Sequence, residues 1–249
     1  MSADPSVNPD FADANFVYVP YCSSDTHRGT RTTADADTFG FYFSGHLNLI
    51  AIVEDVKTQH AKSFAAMERM LLTGGSAGGV GTIYNADWLG SVLPSSVDFK
   101  AAPSGGWFEA GNYPDQVAAG RSCSGPSLFP DFVKGVASDR TNASAGIDAL
   151  WKSILPDACV STHPATPAQD VCESAVGCGT AHVAYHYVKT PLFIMENMYD
   201  TNQISAQSGL KPYKYNTKEG QEFIKYVTGD DSVTHPPTLY HTMYCACMM

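Results

Sequence analysis

Basic residues are scarce in this sequence: 15 Lys and Arg stand against 25 Asp and Glu, which gives a formal net charge of −10. A nucleic-acid-binding surface needs clustered basic side chains, because they replace the counterions of the phosphates. The chain has no such cluster. We therefore expect no nucleic acid among its partners.

Long apolar runs are also lacking, and no segment has the roughly 20 residues that a transmembrane helix needs. We therefore expect no membrane span. The first residues lack the basic and apolar regions of a secretory signal peptide. With 44% hydrophobic residues in 249, however, the chain has enough apolar material for one large domain with a buried core.

Cysteine is plentiful, with seven residues in the chain. This number suggests an oxidising compartment, and an odd count leaves at least one cysteine unpaired. The spacings of Cys172 with Cys178 and of Cys245 with Cys247 do not match common zinc modules, and no His-Glu-x-x-His motif is present. We expect Cys172 and Cys178 to belong to disulfides. We do not expect Cys245 and Cys247 to bond to each other, because residues two apart in an extended chain point the wrong way and are too far apart in space.

Strand-like and helix-like segments alternate along the chain, which is typical of a parallel sheet with flanking helices. A loop is predicted at 22–37, after the first strand, and the Ser-, Thr- and Pro-rich region 111–190 is predicted to form a looser cap or lid. Buried strands are predicted at 15–20, 70–73, 97–102 and 191–195, an edge strand at 39–43, and helices at 46–67 and 78–93.

The most informative segment is 74–79, which reads Gly-Gly-Ser-Ala-Gly-Gly between an apolar run and a helical pattern. This arrangement is typical of a nucleophile elbow, in which the serine occupies a sharp turn between a strand and a helix. Gly74 and Gly78 would let the backbone turn without Cβ clashes. Ser76 is the candidate nucleophile, and the amide of Ala77 at the helix N-terminus is a candidate donor to an oxyanion.

A glycine-rich turn that binds phosphate, or that only packs closely, is the alternative interpretation of this segment. No Lys-Ser or Lys-Thr follows it as in a P-loop, and its glycines do not have the dinucleotide-binding spacing. The nucleophile is therefore the favoured interpretation.

A serine hydrolase also needs a general base and an acid that orients the base, and in α/β-hydrolases the order is Ser, Asp, His. Asp200 lies just beyond the predicted strand at 191–195 and fits that order, although it could be an ordinary turn aspartate. His235 and His241 are the histidines that follow it. The identity of the base stays open between His235, His241 and a histidine outside this chain.

Three segments together resemble the pectin acetylesterase and Notum family of serine carboxylesterases. They are residues 16–25 (Phe-Val-Tyr-Val-Pro-Tyr-Cys-Ser-Ser-Asp), residues 74–79, and residues 193–200 (Phe-Ile-Met-Glu-Asn-Met-Tyr-Asp). The resemblance implies that Ser76 is the nucleophile, Asp200 the triad acid and Ala77 an oxyanion donor. It also implies that Trp107 and Phe108 belong to the wall beside the substrate.

Two departures from the family pattern concern the ends of the chain. The family's Gly-Gly-x-Trp-Cys segment, which supplies further oxyanion amides, does not precede residue 16. The family's histidine follows a late cysteine by three residues, whereas here the chain ends two residues after Cys247. Under this alignment neither His235 nor His241 is the triad base. The expectation is a fragment that lacks the first strands and the tail of the fold.

The resulting prediction is a single α/β-hydrolase-like domain over residues 1–249, truncated at both ends, with a mostly parallel sheet and a lid over about 111–190. We predict a secreted serine carboxylesterase that needs neither metal nor organic cofactor. Its substrate is predicted to be the acetyl ester of a polysaccharide such as pectin, or an acylated protein. The alternative is a catalytically inactive relative that acts as a carbohydrate- or protein-binding module.

Overall fold

The computed structural model describes residues 2–107, 148–163, 175–197 and 243–247. These residues contain a four-stranded sheet in the order β1-β2-β3-β4. The first three strands are parallel, and the last is antiparallel to β3. The carboxyl ends of the three parallel strands therefore lie at the same end of the sheet. The strands are β1 (Arg69–Gly75), β2 (Asp98–Ser104), β3 (Phe193–Asn197) and β4 (Met243–Cys247).

Five α-helices with defined bounds and two short 3₁₀ turns accompany the sheet in the described ranges, and residues 148–151 are helical as well. The helix predicted at 78–93 is confirmed, and so are the strands predicted at 70–73, 97–102 and 191–195. The helix predicted at 46–67 is present as two helices that are separated at His60. The helices are α1 (Gly45–Gln59), α2 (Ala61–Ala65), α3 (Ala77–Val92), α4 (Asp157–Thr162) and α5 (Ala181–Ala184), and the 3₁₀ turns are η1 (Ala175–Gly179) and η2 (Tyr185–Tyr187).

Helix α3 is the central element of the described fold. It is apolar on nearly all sides, and its residues are buried without a break from Gly79 to Ala86. A helix of this kind is stable only when other elements cover several of its faces. It ends at Val92, two residues before Pro94, which disfavours helical geometry at the residue before it.

The main apolar cluster joins α3 to helix α5. Val80, Ile83 and Tyr84 pack there against Ala181 and Ala184, and all five are at most 7% exposed. Part of the region predicted as a lid thus contributes to the core. Most of that region lies outside the described residues, so the single domain with a lid over 111–190 stays a prediction.

A buried arginine fastens the N-terminal loop to the rest of the fold. The Arg28 guanidinium lies 4.4 Å from the ring centroid of Tyr84 and 5.8 Å from that of Trp151. It also pairs with the Asp148 carboxylate at 3.2 Å and donates to the Gly179 carbonyl at 3.2 Å. A charge that is only 6% exposed is tolerated because it has these partners.

One disulfide is present among the described cysteines. Cys178, predicted to be in a disulfide, is bonded to Cys159, and the bond links η1 to α4. Cys172 lies outside the described residues. Cys22 is unpaired and exposed, which agrees with the odd number of cysteines.

The buried strand predicted at 15–20 is wrong. This segment has no regular secondary structure, and Phe16, Val17 and Tyr18 are 51%, 60% and 87% exposed. A strand needs a neighbouring strand to satisfy its backbone N–H and C=O groups, and the described residues offer none beside this segment. Its apolar composition alone was therefore insufficient to make it a strand.

The edge strand predicted at 39–43 is also wrong. The segment turns at Phe39, which has a left-handed φ of 54°, and only Phe43 at its end is buried. Phe43 forms a single antiparallel bridge with Arg31 and packs against Trp151. The loop predicted at 22–37 is confirmed as a largely irregular segment.

Within the described ranges, no helix has both the length and the apolar character needed to cross a membrane.

Candidate active site

Ser76 occupies the junction between β1 and α3 with φ 53° and ψ −118°. A left-handed φ is uncommon for residues other than glycine, and such strain costs about 1–3 kcal/mol. Strained residues of this kind concentrate at functional sites, because only a constraint from the surrounding structure keeps them in place. The side chain of Ser76 is exposed at this turn.

Gly74 is required by the turn itself. A Cβ built on Gly74 would collide with the carbonyl of Gly78 in the first turn of α3. A Cβ on Gly78 meets no described atom within 4 Å. The turn therefore requires glycine at position 74 for a steric reason. The described residues give no such reason for glycine at position 78.

Ala77 is the first residue of α3 and is half-buried. The first amides of a helix have no partner within the helix, and they carry the positive end of the helix dipole. The first hydrogen bond at this end runs from the Val80 amide to the Ser76 carbonyl. The Ala77 N–H is thus a donor at a helix terminus directly after the serine, which is the arrangement that an oxyanion hole requires.

The chain leaving β2 runs alongside the elbow. The Ser76 amide donates to the Ser104 carbonyl at 2.9 Å, and Gly105 takes a left-handed φ of 57° that turns the chain away from the sheet. Gly106 then lies against the backbone of Gly79 on α3, where a Cβ on either glycine would collide. This close glycine contact brings residues 104–107 to the N-terminal turn of α3.

Trp107 follows directly and is half-buried. Its ring meets the ring of Tyr185 edge-on, with 4.7 Å between centroids, and packs against the apolar cluster of α3 and α5. Its backbone N–H donates to the carboxylate of Glu196 on β3. An aromatic pair therefore stands next to the segment that carries Ser76.

A loop built around Asp25 packs on the second turn of α3. The Asp25 carboxylate is completely buried and accepts hydrogen bonds from the Ser23 hydroxyl (2.5 Å), the His27 amide (3.0 Å) and the Gly45 amide at the start of α1 (2.6 Å). The loop contacts α3 at Gly81, where a Cβ would lie 2.9 Å from that of His27.

His27 lies in this loop and is partly buried. Partial burial lowers the pKa of His27, since burial disfavours the charged imidazolium, and the Asp25 carboxylate opposes this effect. The ring lies 4.9 Å from that of Tyr21. The shift keeps His27 neutral at pH 7.

The remaining predicted site residues lie outside the described ranges: Asp200, Phe108, His235 and His241. Strand β3 ends at Asn197, three residues before Asp200. This carboxyl end lies at the same end of the sheet as Ser76. The structure thus brings Ser76, Ala77 and Trp107 together and places the strand that leads to Asp200 two positions away in the sheet.

One group of described side chains has potential metal ligands in close proximity: Cys159, His163 and Cys178. The two sulfurs bond to each other, and the His163 Nδ1 lies 2.9 Å from the Cys159 carbonyl oxygen. A disulfide lacks the thiolates that a metal needs, and a ring nitrogen that donates to a carbonyl cannot also bind a metal. These residues form a disulfide site and not a metal centre.

Two residues of the site were given no role by the sequence analysis. Asp25 and Glu196 both lie in segments that carry the family resemblance, but their partners, Gly45 and Trp107, are 20 and 89 residues away. The one local signal for Glu196 is a carboxylate directly after the apolar residues of its strand.

A left-handed serine between a strand of a parallel sheet and a buried helix defines an α/β-hydrolase-like fold. The chain belongs to the pectinacetylesterase family, whose sequence model, PAE: Pectinacetylesterase, matches residues 1–225. Both the fold class and the family expected from the sequence are confirmed.

Similarity to individual proteins gives the same result. The chain is 28% identical over 215 residues to the palmitoleoyl-protein carboxylesterase NOTUM of Drosophila melanogaster, covering 84% of this chain and 28% of that protein. It is 28% identical over 209 residues to the palmitoleoyl-protein carboxylesterase NOTUM of Schmidtea mediterranea, covering 82% of this chain and 35% of that protein.

A solved structure of the Wnt deacylase Notum from Drosophila aligns with a TM-score of 0.66 and 25% identity. The alignment covers 92% of this chain and 58% of that chain. The chain thus spans less than two thirds of the length of each of these relatives.

Proposed function

We propose that the protein is a serine carboxylesterase that hydrolyses O-acyl esters through an acyl-enzyme on Ser76. The observation that carries this proposal is the left-handed conformation of Ser76 at the β1–α3 junction. Such strain is costly, and a nucleophile that must project from the sheet edge gives it a reason.

In the proposed reaction, the Ser76 Oγ bonds to the ester carbonyl carbon while a histidine takes its proton. The carbonyl oxygen becomes an oxyanion that the Ala77 N–H stabilises. The C–O bond to the leaving alcohol then breaks, and the histidine returns the proton to the alcohol oxygen. Water attacks the acyl-enzyme by the same steps and releases the carboxylic acid.

Asp200 is proposed to accept a hydrogen bond from that histidine and to fix its tautomer. His235 and His241 follow Asp200 in the chain, and the identity of the base stays open between these two and a histidine outside this chain. Trp107 and Phe108 are proposed to form part of the wall beside the acyl group. The contact of Trp107 with the elbow through Gly106 and Gly79 supports its place in this wall.

The substrate class is proposed from the family and from the relatives' names. The family is named for pectin acetyl esters and the relatives for the palmitoleoyl group on a protein. Both substrates are O-acyl esters carried by a large molecule, so the proposed partner is an acetylated polysaccharide or an acylated protein. The Cys159–Cys178 disulfide supports action in an oxidising compartment, as in a secreted enzyme.

Labelling with a fluorophosphonate probe tests the nucleophile. We expect stoichiometric labelling of Ser76 in the 249-residue chain and none in Ser76→Ala, because the probe reacts only with an activated hydroxyl. Ser63→Ala, which removes an exposed hydroxyl on α2, serves as the matched control and should label as the parent does. An unlabelled Ser76 in folded protein would overturn catalysis by this chain and favour a binding module.

Acyl preference separates the two substrate classes. A deep apolar pocket gains about 0.8 kcal/mol for each buried methylene, so it favours octanoate over acetate esters. The measurement is kcat/KM for p-nitrophenyl acetate and p-nitrophenyl octanoate. A preference for octanoate supports deacylation of a protein, and a preference for acetate supports deacetylation of a polysaccharide.

A further inference from the structure

We propose that Glu196 is a positioning residue that sets acyl-chain preference by holding Trp107 beside Ser76. This inference rests on the proposed esterase function and adds a residue to which no role has been assigned. Glu196 does not act on the ester itself; it acts through the backbone of the segment that carries the wall.

Strand β2 leaves the sheet directly after Ser104. Its ladder with β3 continues to the pairing of Ser104 with Met195, and the Gly105 amide still donates to the Met195 carbonyl at 2.8 Å. The left-handed turn at Gly105 then directs the chain away from β3. Gly106 and Trp107, the last described residues of this segment, lack the regular ladder partners of a strand.

A hydrogen bond to a side chain takes the place of the ladder at Trp107. The Trp107 N–H donates to the Glu196 Oε1 atom, so a side chain of β3 accepts the hydrogen bond that a main-chain carbonyl would otherwise accept. A carboxylate acceptor makes a shorter and stronger bond than a neutral one. This hydrogen bond fixes the distance between the Trp107 backbone and β3.

Helix α3 restrains the same segment on the side opposite to Glu196. Gly106 lies against the Gly79 backbone at the first turn of α3. Residues 106–107 are therefore in contact with α3 on one side and with Glu196 on the other. Trp107 has to project from this position, and its ring packs edge-on against Tyr185.

The consequence is a link between Glu196 and substrate choice. The Trp107–Tyr185 pair is the aromatic surface next to the elbow in the described residues, and its distance from Ser76 sets the room for an acyl chain. Without the carboxylate, the Trp107 amide loses its acceptor and the ring moves relative to Ser76. The Ser76 amide and carbonyl have their own backbone hydrogen bonds, to Ser104 and from Val80, and keep their geometry.

The test compares Glu196→Leu, which removes the acceptor, with Glu196→Gln, which keeps an amide oxygen in its place. Trp107→Ala and the double variant with Glu196→Leu complete a mutant cycle. Glu54→Leu, which removes an exposed carboxylate on α1, is the control. The readouts are the octanoate-to-acetate ratio of kcat/KM, fluorophosphonate labelling of Ser76, the thermal midpoint, and hydrogen exchange of the Trp107 amide.

We expect Glu196→Leu to change the octanoate-to-acetate ratio about fivefold or more, in the direction of Trp107→Ala, because pocket contacts to one or more methylenes change by that order. The double variant should shift the ratio no further than Trp107→Ala. The Trp107 amide should exchange faster. Glu196→Gln and Glu54→Leu should match the parent in ratio and exchange.

The outcomes distinguish the inference from the proposed function. Labelling of Ser76 with an unchanged ratio in Glu196→Leu would overturn the inference alone, as would additive shifts in the double variant. A shift in Glu196→Gln equal to that in Glu196→Leu would also overturn it, because the acceptor is kept. A parent protein that neither labels nor turns over ester would overturn the proposed function, and with it any role of Glu196 in acyl choice.

Discussion

Gly79 on α3 and Gly106 after β2 are in backbone contact, so closely that a Cβ on Gly79 would lie 2.8 Å from the Gly106 Cα and 2.8 Å from the Ser104 carbonyl oxygen. Neither neighbour is the end of a flexible side chain, so neither can yield without moving the main chain. This contact couples the nucleophile helix to the wall of the proposed acyl site.

Gly79→Ala should therefore destabilise the fold by about 1–3 kcal/mol, as overpacking of a tight contact does. Gly78→Ala is the matched control one residue away, where the new Cβ meets no described atom within 4 Å. It should stabilise the helix by about 0.5–1 kcal/mol, because alanine loses less backbone entropy than glycine. Urea unfolding of both variants measures the difference. Equal stability of the two would contradict the close contact.

Ser76→Gly is expected to raise the free energy of unfolding by about 1 kcal/mol relative to Ser76→Ala. Alanine retains a Cβ in the left-handed conformation, whereas glycine adopts that conformation without strain. Both variants lack the hydroxyl, so neither should react with a fluorophosphonate. The measurement is chemical denaturation of the two variants side by side. A glycine variant no more stable than the alanine variant would show that the elbow carries no strain.

Asp25→Asn should cost about 3 kcal/mol of stability, because a buried amide places an NH₂ group where Gly45 or its neighbours now donate. The completely buried carboxylate accepts all three of its bonds from loop and helix donors. Asp55→Asn, at an exposed position on α1, is the control and should change stability by less than about 0.5 kcal/mol. Thermal and urea unfolding report the change. A neutral Asp25→Asn would mean that the loop does not depend on its carboxylate.

His27 should make the protein less stable as the pH falls. Burial lowers its pKa in the folded protein below the ordinary value of 6.5, so the unfolded chain takes up the proton first. The folded state therefore loses stability as the pH drops through 6.5, and the loss ends below the folded-state pKa. His27→Gln should flatten this part of the curve.

The measurement is urea unfolding at pH 7.5 and at steps down to pH 5. His60→Gln, at an exposed position after α1, is the comparison and should leave the slope in place. A slope that survives in His27→Gln would assign the pH dependence to other groups.

The sequence predicted the elements whose structure depends on their own periodicity. Helix α1, helix α3 and the strands on either side of α3 were found because apolar spacing and the glycine-rich turn are local signals. The buried strand at 15–20 was wrong because strand formation depends on a neighbouring strand, and apolar composition does not specify one. Strand β4 was not predicted, since it is a five-residue segment that pairs with β3 from far along the sequence.

The site divides in the same way. Ser76 and Ala77 could be located from the sequence because the elbow is a contiguous motif. The contacts of Asp25 and Glu196 could not, because each depends on a donor brought close only by the fold. A long-range hydrogen bond leaves no periodic trace in the sequence.

The surroundings of Arg28 have a consequence for how this fold varies among related sequences. Its charge is enclosed by Tyr84 on α3 and by Asp148 and Trp151, which lie together in a second stretch of the chain. Loss of one partner leaves the buried charge without full compensation and destabilises the fold. Replacement of the whole group with apolar residues of similar volume costs little stability. Substitutions at these four positions should therefore be correlated across an alignment, with arginine and its partners kept or exchanged as a set.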